Sequence, residues 1–183
     1  MAAYRIVVYL HVIGAMGWFL TMGLEAASLA LLARAEGLAA TRAALLPLRG
    51  NRVLGPITAL LVLVPGVYMA ETAWTAHPPW VGLGYLTFML VFLLGAVITG
   101  RATVRFERAV REGKLPPAPL TALRYSLFAR LGLLVGVTFA MVVKPDALVC
   151  VLSVLFGLLC GVLFVRPLTS GGLDRDLQRE HSG

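Results

Sequence analysis

The chain has 183 residues, of which 59% are hydrophobic and 14% charged, with a formal net charge of +7. A soluble domain carries roughly 25% charged residues, so this composition excludes an ordinary water-soluble fold. Nor does the positive charge point to nucleic acid: the arginines gather at the ends of apolar blocks, with no aromatic residues interleaved as a stacking platform.

The apolar residues form long blocks instead of helically spaced stripes, which predicts an all-α, polytopic transmembrane helix bundle in a lipid bilayer. Five segments are long enough to span, approximately 4–33, 53–74, 80–103, 122–143 and 146–165: four core spans plus a fifth, C-terminal one. The first runs from Ile6 to Ala33 with His11 and Glu25 as its ionisable interruptions, far longer than the ~7–15 residues of a secretory signal core. In the second, Pro56 suits a first helical turn and Pro65-Gly66 predicts an interior kink. The third starts at Trp80 and is expected to run past the membrane until Gly113 stops it, with Glu107–Arg111 and Arg108–Glu112 pairs supporting the extension. The fourth has a short apolar centre between Arg130 and Lys144. At about 1.5 Å per residue it is thinner than the hydrocarbon core, so both cations must snorkel or face protein. Cys150 and Cys160 share the fifth span, about 15 Å apart along a helix and too far for a mutual disulfide. They read as small buried residues.

Residues 1–168 thus read as one transmembrane domain, with 115–119 a stiff connector and 169–183 a disordered tail. Arg34, Arg42, Arg49 and Arg52 lie between the first two spans, and Arg101, Arg105, Arg108, Arg111, Lys114 and Arg124 between the third and fourth. The other connections are nearly free of cations, which predicts the N terminus outside and the C terminus in the cytoplasm.

Ionisable residues inside a bilayer cost free energy unless paired or used. On the first span His11, Gly14, Trp18, Met22 and Glu25 recur at three- and four-residue steps and make one stripe, flanked by Ala15 and Gly17. Small residues there admit a neighbouring helix or a flat ligand. Lys144, Glu71 and His77 fall on the same outer side as His11. Two readings of His11 stand. It ligates a metal, the iron of haem b before copper, with Gly14 and Trp18 in the pocket and Lys144 at the rim as a propionate partner or ligand. Or it donates to a backbone carbonyl and only holds helices together. Copper is the weaker metal, because Met16 and Met22 lie on different faces. Glu25 is expected to pair with Arg101 or Arg130. Glu71 is expected to be hydrated, and Trp74 and Trp80 to be interfacial anchors. No soluble-enzyme or covalent-haem motif occurs.

The pairing of LHVIGAMGW in the first span with MVVKP at the end of the fourth resembles small bacterial membrane proteins of one superfamily. It includes the copper-resistance D-type proteins and the HemJ-type protoporphyrinogen oxidases, and the likeness is to an uncharacterised branch. The resemblance covers about residues 5 to 146. It implies that His11 corresponds to the haem-associated histidine and Lys144 to the lysine of the Lys-Pro motif, in a bacterial cytoplasmic membrane. The aromatic segment that follows the histidine in the oxidases is replaced here by FLTMGLEAASLALLAR. The resulting expectation is a haem b protein of electron transfer or porphyrin oxidation, with an unidentified electron partner. No second axial histidine is evident, so the iron would be five-coordinate, lysine-ligated or shared across a homo-oligomer. The rivals are a cofactor-free assembly subunit and a copper-handling or transport protein.

Overall fold

The computed structural model describes residues 2–74, 78–115 and 120–180, with side chains to residue 165. His77 and 116–119 lie outside the described residues, as do the side chains of the expected tail, 169–183. The elements are α1 (Ala2–Leu32), α2 (Gly37–Ala44), α3 (Leu46–Ala73), α4 (Pro79–Leu94), a π-helical turn (Gly95–Gly100), α5 (Arg101–Arg111), α6 (Leu120–Val143) and α7 (Ala147–Glu180). There is no strand among the described residues.

Five stretches of helix are long and apolar enough to cross a membrane: Ala2–Leu32, Gly37–Ala73, Pro79–Arg111, Leu120–Val143 and Ala147–Val165. Their outward faces carry Met16, Leu20, Val64, Leu86, Val142 and Phe156, all well exposed. Water would not tolerate so continuous an apolar surface, whereas lipid covers it without cost. The chain is an all-α, multi-pass membrane protein.

Packing pairs α1 with α3 and α6 with α7; α6 joins the pairs through α1, and α4 packs on α6 and, more lightly, on α7. The α6–α7 contact rests on Gly132 and Gly136 facing Gly157 and Gly161. A Cβ at Gly132 would fall on the Gly157 carbonyl, and one at Gly161 on the Phe128 carbonyl. Such small-xxx-small pairs let helix backbones touch, which is how helices gain dispersion energy where lipid removes the hydrophobic drive. The α1–α3 contact uses the same device, since a Cβ at Gly14 would stand 2.6 Å from the Leu61 carbonyl carbon.

Several local expectations change. Pro56 lies inside α3 and not in its first turn, because the helix already begins at Leu46 with Pro47 at its start. The arginine-rich connection is largely helical: Ser28 Oγ of α1 donates to the Ala44 carbonyl and ties α2 down. Glu107 pairs not with Arg111 but with Arg52 at 3.0 Å and Arg49 at 3.4 Å on α3. Cys160 is exposed on the lipid face, while Cys150 is buried. The stop at Gly113 is as expected: its φ is +75°, and the Lys114 N–H reaches back to the Ala109 carbonyl at 2.9 Å. Arg108 and Lys114 both donate to Glu112 there, holding its carboxyl below the ordinary glutamate range.

Candidate functional site

His11 meets α3 in the turn that carries Pro65 and Gly66. Pro65 has no N–H for the Leu61 carbonyl, and its ring crowds the turn behind it. One turn back, the Val62 carbonyl lies 2.8 Å from His11 Nδ1. A carbonyl only accepts, so Nδ1 carries the proton and donates. In the neutral ring Nε2 then keeps its lone pair. Gly66 makes the room: a Cβ there would stand 3.2 Å from His11 Cε1.

Nε2 has no hydrogen-bond partner among the described residues, and His11 lines a half-open cavity of about 280 Å³. Its walls come from α1 (Tyr4, Val8), α3 (Val62 to Trp74), α4 (Trp80 to Phe88) and α6 (Met141, Lys144). The cavity is apolar apart from that imidazole, two tyrosines and one ammonium. Lys144 ends α6 in the left-handed region, with φ 52°, and its N–H closes on the Ala140 carbonyl at 2.9 Å. That turn lays Nζ 4.4 Å from the Trp74 ring centroid and 5.3 Å from that of Trp80. The two indoles meet edge to face at 4.9 Å, so a cation–π clamp stands at the mouth.

The structure therefore brings His11 and Lys144 to one cavity. Gly14 and Trp18 stand off it: Gly14 packs on the α3 backbone, and Trp18 lies against Phe88 at 5.0 Å, facing the other way. Sequence reasoning did not reach the Val62 carbonyl, Tyr85 or the Trp74–Trp80 clamp around Lys144. Two tryptophans flanking one short connection were the available signal for the clamp.

Beyond Trp18, toward the basic end, the same stripe of α1 reaches Glu25. Its Oε1 accepts from Arg130 Nη2 at 2.5 Å and from Thr99 Oγ1 at 2.8 Å. Arg130 also donates from Nε to the Ser126 carbonyl at 3.1 Å and from Nη2 to Thr99 at 3.0 Å. The π-helical turn carries Thr99 into this network, and Gly95 leaves space beside the guanidinium. Glu25 is 1% exposed and Arg130 5%. Arg130 is thus the partner of Glu25, while Arg101 is exposed.

Comparison with protein-family models, with curated proteins and with solved structures returns no match. What the site is for rests on its chemistry.

Proposed function

We propose that this is a b-type haem-binding protein of the bacterial cytoplasmic membrane, in which His11 Nε2 would hold the iron and Lys144 would stand at the rim. It would act in electron transfer or porphyrin oxidation, as the resemblance to the copper-resistance D-like and HemJ-type proteins implies. The observation that carries the reading is the His11 Nδ1–Val62 hydrogen bond. A ligating histidine is held in just this way, its second nitrogen donating to a carbonyl so that the first keeps its lone pair and its aim. The basic connections at the opposite end support an outer position for the cavity, with the N terminus outside.

The donor set fits a haem better than the space does. Pockets that bury drug-sized ligands span about 300–1,000 Å³. A cavity of about 280 Å³ encloses part of a macrocycle and leaves the rest on the open side. Tyr4, Tyr85 and Phe88 would line the ring, and Lys144 would meet its carboxylates. When bound, haem supplies a one-electron redox centre. The confined volume favours a second reading, a cofactor-free subunit in which the same hydrogen bond fastens α1 to α3. Copper has less support: Met16 is 64% exposed and Met22 1%, so the two thioethers do not converge.

The test is the visible spectrum of detergent-purified protein expressed with ample haem, oxidised and dithionite-reduced, beside His11→Ala. Near-stoichiometric haem, with a Soret band lost in a folded variant, is the expected result. A colourless, monodisperse wild type selects the cofactor-free reading.

A further inference from the structure

The Glu25–Arg130 network does not fill the space around it. It lines a second half-open cavity of about 310 Å³, bounded by Trp18, Leu48, Pro56, Val91 and Phe92 and reached past Asn51 and Arg52. The Arg52 side chain is 57% exposed and lines the part of the cavity nearest the arginine-rich end of α3. Its volume corresponds to about ten waters at ~30 Å³ each.

The hydrogen-bonding capacity left over in this space is unbalanced. Arg130 spends Nε and Nη2 on Ser126, Glu25 and Thr99, and Nη1 has no partner among the described residues. Asn51 Oδ1 is shielded from solvent and likewise unpartnered, so the whole carboxamide remains to be satisfied. It supplies a donor in one orientation and an acceptor in the other. Arg52 and Arg130 line the cavity with Glu25, and Arg52 shares Glu107 with Arg49, so the three cations of the two ion-pair groups exceed their two anions by one. The remaining wall is aromatic and aliphatic. A ligand that answers this lining carries one negative charge, two acceptor oxygens and a compact apolar body.

We propose that this second cavity is a binding site for a small monocarboxylate. The carboxylate meets Arg130 Nη1, Arg52 and the Asn51 amide, and the apolar body lies against Trp18, Val91 and Phe92. Glu25 has a distinct part: its Oε1 accepts from Arg130 and Thr99 and fixes the guanidinium, while its Oε2, with no hydrogen-bond partner among the described residues, turns the ligand carboxylate toward Nη1 and the Asn51 amide and away from itself. A fork held by other bonds loses little freedom on gaining one more. This site is separate from the His11 cavity and does not rest on haem.

Calorimetric titration of the detergent-purified protein tests it, with benzoate as the probe and benzyl alcohol and benzylammonium as isosteres of other charge. Saturable binding of benzoate alone is expected, weakened about tenfold or more in Arg52→Gln and in Asn51→Leu, as loss of a charge-assisted or buried hydrogen bond implies. Arg52 is exposed and Glu107 keeps Arg49, so Arg52→Gln is expected to fold even where changes at Arg130 do not. The double variant Glu25→Gln/Arg130→Gln is expected to abolish binding. Absence of saturable benzoate binding, equal binding of benzyl alcohol, or an unchanged Kd in Arg52→Gln and Asn51→Leu would each overturn the proposal.

Discussion

Glu25 and Arg130 are charged where charge is expensive, and each answers the other at 2.5 Å. Removing one partner of such a buried pair leaves the other unanswered, at a typical cost of about 3–5 kcal/mol, while removing both is often nearly neutral. Glu25→Gln is therefore expected to lower the melting temperature in detergent sharply, and Glu25→Gln/Arg130→Gln to recover most of the loss. Equal melting of the single variant and wild type would show that the pair contributes nothing net. The sequence offered Arg101 and Arg130 as partners for Glu25 without distinguishing them. The choice depends on helix rotation, which spacing along one helix does not specify. His11 is a similar case. Its position on the stripe was legible, but its acceptor, the Val62 carbonyl, lies on another helix.

At the scale of elements, span lengths follow from apolar run length, so all five were legible to within a few residues except where helices continue past the membrane. The start of α3 was misplaced because Pro56 looked like an opening residue while Pro47 is one. The π-helical turn at Gly95–Gly100 had no legible sign: GAVITG has nothing to distinguish it from an ordinary helical turn. It nonetheless delivers Thr99 to the charge pair, in keeping with the tendency of such turns to occur at functional sites. The α6–α7 contact makes a sharper prediction. Gly157 touches the Gly132 backbone, so Gly157→Leu has no room and overpacking should cost about 1–3 kcal/mol or more. Because α7 packs chiefly on α6, the expected outcome is faster proteolysis or cross-linker loss at α7 with α1–α6 still folded. Unchanged protection of α7 would contradict the contact.

The whole molecule places two cavities along one helix, His11 in the first and Glu25 in the second, and the division between them is narrow. Phe88 lines one cavity and Trp18 the other, with their ring centroids 5.0 Å apart. Sequence reasoning recognised the stripe but took Trp18 for part of the His11 pocket, because spacing assigns a face and not a depth. Trp18→Ala is expected to join the cavities and make proteoliposomes leak protons under an imposed pH gradient, read with an internal dye. A seal as tight as wild type would show that other residues close the path. The partition also has an electrical meaning. Water in a cavity carries potential inward from its own end, so with both cavities wet the transmembrane voltage falls mostly across the Trp18–Phe88 layer. A charge crossing the full drop exchanges about 2.3 kcal/mol per 100 mV. His11 and Glu25 stand at the two edges of that steep field, where a small displacement of charge is felt as a large part of the membrane potential.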